Sequence, residues 1–312
     1  MDCTLVWNPA SGRERHRRAE QVEQVAISLR QRGHRVEILC TTGPGSAGDQ
    51  TREAVRRCAE VVFACGGDGT VHEVAQGLVS ESGEPSASLG ILPCGSANAL
   101  ARNLGLPLDP QAAALAQIDS PPRTVPVGKV SWSGGSRYFL LMAGVGPDGA
   151  LVYSLQARRK SHIGRFAYYL QAARLFATRH FAGFEVDATL ASTGATVTSR
   201  AVEAMAVRIR NFGGLFSGLA GESASIHDRH FRLILVRPPA FVSLPLWFLS
   251  AWLRLEQINP FLQRLDASRC AFYAHSATPH IEADGEWLGR IPAEFTVVPN
   301  ALRLRPPLFN LS

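Results

Sequence analysis

Short apolar runs alternate with stretches of helical periodicity along the first third of the chain. Thr4–Trp7, Val36–Cys40, Val61–Ala64 and Leu89–Leu92 predict buried strands. Between and after them, Arg13–Arg32 sets Val22, Val25, Ala26 and Leu29 on one helical face. Gly48–Ala59 predicts a second helix, Val71–Val79 a third and Ala99–Leu104 a fourth. Strand–loop–helix units in succession predict an α/β domain with a parallel sheet. Pro121-Pro122 breaks this pattern. Beyond it, Thr124–Trp132, Tyr138–Ala143, Phe184–Leu190, Ala201–Arg208, Phe231–Val236, Arg269–Ala274 and Ile291–Val298 read as strands. They predict a second, antiparallel, β-sandwich-like domain, with a helical insertion at Gly146–Thr178.

The loops that follow the four parallel strands are polar and rich in small residues. The sharpest is Cys65-Gly66-Gly67-Asp68-Gly69-Thr70, a strand-to-helix turn. Its glycines admit close backbone approach, and N–H groups at a helix start face any phosphate placed there. Asp68 would repel a bare phosphate, which makes sense if a divalent metal lies between them. The bland alternative is an N-cap carboxylate in a tight turn. The other loops are Asn8-Pro9-Ala10-Ser11-Gly12, Thr41-Thr42-Gly43-Pro44-Gly45 and Pro93-Cys94-Gly95-Ser96-Ala97-Asn98. In open parallel sheets ligands bind outside the carboxyl ends of the strands, so all four loops are expected on one ligand-binding rim. Arg13, Arg15, Arg17 and Arg18 crowd a helix start, an unfavourable place for cations unless an anion offsets them. In the second domain, Ile281-Glu282-Ala283-Asp284-Gly285-Glu286 carries an Asp-Gly hairpin turn followed directly by a carboxylate fit for general-base work.

Charge and composition narrow the chemistry. The net charge of +6 is carried by arginine, Lys129 and Lys160 being the only lysines. It suits an anionic substrate or membrane surface, while the aromatic-interleaved basic runs of nucleic-acid modules are absent. Cys3, Cys40, Cys58, Cys65, Cys94 and Cys270 show no paired spacing, so neither disulfides nor zinc are expected. No signal peptide is expected, because the N-terminus enters a strand at once. The most apolar run, Phe241–Leu255, is too short to span a bilayer. It reads as a core helix, or as an apolar face at a membrane surface.

The ordered set NPxSG (Asn8–Gly12), GGDGT (Gly66–Thr70), PxGSxNALAR (Pro93–Arg102), GxGxD (Gly144–Asp148) and DGE (Asp284–Glu286) resembles the diacylglycerol kinase catalytic-domain superfamily. That superfamily includes bacterial diacylglycerol-type lipid kinases, sphingosine kinases and ceramide kinases. The resemblance implies a nucleotide-binding domain over 1–122, completed by 302–312, a lipid-substrate β-domain over 123–301, and an active site between them. It implies ATP contacts at Asn8, Ser11, Gly12, Thr41, Gly66, Gly67, Gly69, Thr70, Gly95, Ser96 and Asn98. Asp68 would order Mg²⁺–ATP, Glu286 would take the proton from a lipid hydroxyl, and Asp148 would meet the lipid. The implied enzyme is cytoplasmic, peripheral to the inner face of the membrane, without nucleic-acid partners, and a possible homodimer.

Three departures matter. Asn98 is followed by Ala99, as in sphingosine kinases, where the bacterial diacylglycerol kinases have Asn-Asp. Ser96 keeps the hydroxyl of the usual threonine. The segment that would hold a second, structural metal is Asp228-Arg229-His230-Phe231-Arg232, with Arg232 expected to supply its charge beside Asp228. A diacylglycerol-like lipid is the expected substrate. A sphingoid base or ceramide is the alternative, with an NAD kinase or a non-catalytic lipid-binding protein more remote.

Overall fold

The computed structural model describes residues 1–11, 15–156, 181–210, 224–253, 255–274 and 278–307. The chain divides into two compact units, one of Met1–Val127 with Val298–Ser312 and one of Gly128–Val297.

The first unit follows the alternation of the sequence. Its elements are β1 (Asp2–Trp7), α1 (Arg15–Gln31), β2 (Arg35–Cys40), α2 (Ser46–Arg56), β3 (Val61–Gly66), α3 (Asp68–Leu78), β4 (Ser88–Pro93), α4 (Ala99–Asn103) and α5 (Pro110–Ile118). The strands pair in parallel in the order β2-β1-β3-β4. β3 and β4 are buried at every position, and β1 at all but its ends. That is why they read as unbroken apolar runs. β2, on the edge, alternates. Leu5, Phe63 and Leu92 pack against Val22, Val25 and Leu29 of α1 and Ala113 and Ile118 of α5. Successive strand residues point to opposite faces, so Val6, Val62 and Ala64 look the other way, toward the side of α2 and α3. The chain returns to this unit at its end: Arg303 and Leu304 extend the sheet beside Ser88 and Leu89. The buried Arg305 ties the return down, donating to the carbonyls of Ile118 and Ser120, each at 2.8 Å.

The second unit is antiparallel. It contains most of β5 (Arg123–Trp132), then β6 (Gly135–Phe139), β7 (Met142–Val145), α6 (Pro147–Gln156), β8 (Phe184–Leu190), β9 (Thr196–Ala201), β10 (Glu203–Val207) and β11 (Phe231–Val236). After them come α7 (Ala240–Leu253), β12 (Leu262–Tyr273), β13 (His280–Ala283), β14 (Glu286–Arg290) and the start of β15 (Ala293–Leu304). One path runs β14-β13-β7-β10-β11-β12, with β8 and β15 both joining β12. Phe139, Phe184, Phe231, Phe272 and Phe295 fill the core, with Phe272 and Phe295 4.6 Å apart between ring centroids. Such tilted pairs add ~1 kcal/mol beyond area burial.

Two expectations need correction here. The single strand over Tyr138–Ala143 is two strands, β6 and β7, because the backbone N–H groups of Leu140, Leu141 and Met142 all donate to the Asp284 carboxylate. Arg232 does not serve Asp228 as its cation. It makes a two-pronged pair with Asp266 at 2.6 and 3.2 Å. The buried guanidinium whose charge interacts with Asp228 is Arg208, which also donates to the Ile226 carbonyl at 2.8 Å. Burial lowers its pKa to about 10, and Asp228 and Asp284 oppose that fall. The helical insertion is described only through α6, so Arg158, Arg159, Lys160, Gly164 and Arg165 lie outside the described residues.

Candidate active site

The parallel order of the first unit puts the carboxyl ends of β1, β2, β3 and β4 on one edge, with their following loops side by side. Backbone bonds lock these loops together. Asn8 N–H donates to Cys65 O at 3.1 Å, Thr41 N–H to Trp7 O at 2.8 Å, and Cys94 N–H to Gly66 O at 2.9 Å. The Asn8 side chain then bridges two loops, giving Nδ2 to Thr70 Oγ1 at 3.2 Å and accepting from Ala10 N–H at 2.9 Å. Ser11 N–H donates to Asn8 O at 3.1 Å, and Gly12 lies outside the described residues.

The glycines are required by contact. A Cβ on Gly66 would lie 2.3 Å from Thr70 Oγ1, and one on Gly95 would lie 2.4 Å from Gly67 Cα. The turns after β3 and β4 therefore touch backbone to backbone. Asn98, in the left-handed region at φ 49°, closes the second turn by accepting from Gly95 N–H at 2.9 Å and donating to its carbonyl at 3.0 Å. Gly69 and Ser96 are exposed at this edge.

Asp68 opens α3, preceded by Gly67, which provides no side-chain cap. The carboxylate is partly exposed and accepts from Leu100 N–H at 3.3 Å, so it braces α4 while standing at a helix N-terminus. The first N–H groups of a helix have no partner within it. Gly67, Asp68 and Gly69 thus bring the first N–H groups of α3 to this edge, with a carboxylate beside them. Arg18 of α1 reaches the same rim, where it hydrogen-bonds the Cys94 side chain. Arg13 and the side chains of Arg15 and Arg17 are outside the described residues. Glu73, unremarked in the sequence, holds the loop after β2 by accepting from Gly45 N–H at 2.9 Å and Ala47 N–H at 3.3 Å.

In the second unit, Asp284 and Gly285 both have positive φ, at 48° and 82°, and make the two-residue turn between β13 and β14. The turn does more than reverse the chain. Asp284 accepts from Leu140, Leu141 and Met142 N–H at 2.7, 2.9 and 3.0 Å, which pins it to the start of β7. Glu286 is then presented at the head of β14, half-buried and ion-paired with Arg137 of β6. Tyr153 of α6 stacks on His280 at 5.0 Å and lies 5.0 Å from Trp287, which joins α6 to this hairpin.

Asp148 stands in the first turn of α6, after Gly146, whose φ of 125° and close approach to Val202 O exclude a side chain. Its N–H donates to Glu203 Oε2 at 2.9 Å, and its carboxyl group hydrogen-bonds that of Glu282. Glu282 also accepts from Gly285 N–H at 2.9 Å. Two carboxyl groups share such a bond only when one carries a proton. Burial pushes Asp148 up to about 6, with the Glu282 hydrogen bond opposing it. Burial, then the charge of Asp148, pushes Glu203 and Glu282 well above the ordinary carboxylate range. Glu203 and Glu282 are buried, and Oε1 of Glu203 lacks a hydrogen-bond partner. Their signal in the sequence is a lone carboxylate inside an apolar strand, as in Val202-Glu203-Ala204 and Ile281-Glu282-Ala283.

This cluster sets a pH dependence of stability. The folded protein holds protons that the unfolded chain releases near pH 4, so stability should fall as pH rises from about 4 through about 6, where Asp148 loses its proton, and fall further above that as Glu203 and Glu282 lose theirs. Glu282→Gln keeps an acceptor for Gly285 N–H and gains a donor toward Asp148. Thermal unfolding should show the variant a few degrees more stable than the parent at about pH 8 and equal to it at about pH 4. Equal unfolding temperatures at both pH values would contradict the shared proton.

Residues 2–130 match the family described as diacylglycerol kinase catalytic domain. A diacylglycerol kinase of Bacillus subtilis is 29 % identical over 293 residues, covering 93 % of this chain and 91 % of that protein. One of Staphylococcus haemolyticus is 27 % identical over 296 residues, covering 93 % and 84 %. A crystal structure described as a diacylglycerol kinase from Bacillus anthracis superimposes with a TM-score of 0.72 at 20 % identity, covering 99 % of this chain and 98 % of the other, which shows the shared fold. With its glycine-lined rim, its DGE hairpin and these relatives over nearly its whole length, the chain is similar to the diacylglycerol kinases, and residues 2–130 match their catalytic-domain family.

Proposed function

We propose that this chain is a lipid kinase that transfers the γ-phosphoryl group of ATP to a hydroxyl of a diacylglycerol-like lipid. The observation that carries the proposal is the rim of the first unit, where Asn8, Gly66, Gly67, Thr70, Gly95 and Asn98 interlock around the N-terminus of α3. In this proposal Asn8, Ser11, Gly12, Thr41, Gly69, Thr70 and Ser96 hold the nucleotide, and the backbone N–H groups after β3 receive its phosphates.

Asp68 is the proposed Mg²⁺ residue. Among the described residues no group of three or more His, Cys, Asp or Glu side chains forms a metal cage. One partly exposed carboxylate beside the first N–H groups of α3 fits an ion that arrives with ATP and keeps phosphate and water as its other ligands. When bound, the ion would offset the charge of the phosphates. Glu286 is the proposed general base, accepting the proton of the lipid hydroxyl as its oxygen attacks phosphorus. Arg137 holds Glu286 in one orientation, and Asp284 fixes the backbone that carries it. Because the acceptor is a membrane lipid, the enzyme works in peripheral contact with a bilayer. No described helix is long and apolar enough to cross one.

A second reading rests on the buried carboxylates. A sphingoid ammonium could replace the proton shared by Asp148 and Glu282, whereas a neutral diacylglycerol gains little from them. A lipid panel decides between the two: diacylglycerol, sphingosine and ceramide in mixed micelles with labelled ATP and Mg²⁺, read by mass spectrometry. Phosphorylated diacylglycerol as the main product supports the first reading. Sphingosine phosphate as the main product, with Asp148→Asn hurting it far more than diacylglycerol turnover, supports the second. No phosphorylated lipid would overturn both.

A further inference from the structure

We infer that the outer face of α7 and the turn after it seat the protein on an anionic lipid bilayer. The inference rests on the lipid-kinase reading only for its purpose; its evidence is separate. α7 is apolar all round. Leu244 and Trp247 face inward against Val202, Met205, Val207 and Ile234, and Ala251 is buried as well. The opposite face carries Phe241, Leu246, Leu249, Trp252 and Leu253, and the following single-turn helix Glu256–Ile258 adds Ile258. Phe241 is 79 % exposed, Trp252 71 % and Ile258 75 %. Of the eleven exposed large hydrophobic residues among those described, seven fall between Phe241 and Ile258. Single exposed apolar side chains are ordinary, but a concentrated patch marks a surface that is covered in use.

Charge selects the occupant. From Arg237 to Leu255 the sequence holds two arginines, Arg237 and Arg254, and no acidic residue. Arg237 is exposed, whereas Glu256, the next carboxylate, is buried. Among the described charged residues of this stretch, the exposed one is therefore cationic. Anionic headgroups complement that pattern, with Trp252 and Phe241 entering the headgroup–acyl boundary. A second copy of the chain, packed two-fold on the same patch, would offer Arg237 no acidic residue from the stretch Arg237–Leu255. The helix has 14 residues and is about 21 Å long, enough to lie in the interface and too short to cross it.

The test is sedimentation of the full-length protein with phosphatidylcholine–phosphatidylglycerol vesicles. Leu249→Glu and Trp252→Glu should each weaken binding about tenfold or more, since each removes one buried apolar side chain from the contact. Both positions are exposed, and turnover of a short-chain diacylglycerol dispersed in detergent should be unchanged. Arg237→Gln should weaken binding to anionic vesicles and leave binding to pure phosphatidylcholine as it was. In the unsubstituted protein, brominated lipid should quench fluorescence that Trp252→Phe removes, a readout that needs no disruptive variant. Vesicle binding unaffected by Leu249→Glu and Trp252→Glu would overturn the inference. So would lipid-free self-association abolished by the same substitutions, since the occupant would then be a second copy. A lipid panel without product beside intact, patch-dependent vesicle binding would overturn the substrate and sustain the surface.

Discussion

Replacing Glu286 with glutamine is expected to lower kcat about 10²–10⁴-fold, the usual worth of a general base. Glutamine keeps the size of the side chain and an oxygen that can accept from Arg137, but it cannot take a proton from a hydroxyl. The half-buried ion pair contributes little to stability, so the unfolding temperature should hardly move. The residues proposed to bind ATP all lie in the first unit, so the KM for ATP should stay within a few-fold. Steady-state kinetics with varied ATP and saturating lipid separate these effects. Arg137→Gln in the same assay tests the orienting role and should give a smaller loss of kcat. A Glu286→Gln enzyme that loses only affinity for ATP would make Glu286 a binding residue.

Asp68→Asn should be comparably severe, about 10²–10³-fold in turnover, because it removes a fixed charge from a site that must balance a triphosphate. The substitution is clean in structural terms. Asparagine retains the oxygen that accepts from Leu100 N–H, so α4 keeps its brace and the fold its stability. The expected signature is a loss in kcat/KM that raising Mg²⁺ partly recovers, with an unchanged unfolding curve. Near-normal turnover would remove Asp68 from the mechanism and leave it as a brace for α4.

The parallel sheet was legible in the sequence because the information is local. β1, β3 and β4 are covered on both faces, so each is an unbroken apolar run, and the helices between them show their own periodicity. Once such strands are parallel, their carboxyl ends share an edge, and Asn8, Thr41, Asp68 and Ser96 follow there without further information. The glycines are local in kind as well: Gly66 is set by its own helix start at Thr70.

The tertiary structure decided the partners. Asp284 reads as a turn residue, and only the pairing of β13 with β7 brings it under Leu140, Leu141 and Met142. The same register, with β7 on β10, gathers Asp148, Glu203 and Glu282 from three separate segments into one buried cluster. Arg208 and Arg232 look alike in sequence as cations for Asp228. Burial and β11–β12 pairing separate them, because Arg232 falls opposite Asp266. α7 shows the limit most plainly. Without a charge to mark a wet side, its hydrophobic pattern cannot tell core from surface. Only packing does: one face closes over Val202 and Ile234, and the other remains open because a single helix can bury just one stripe against a sheet.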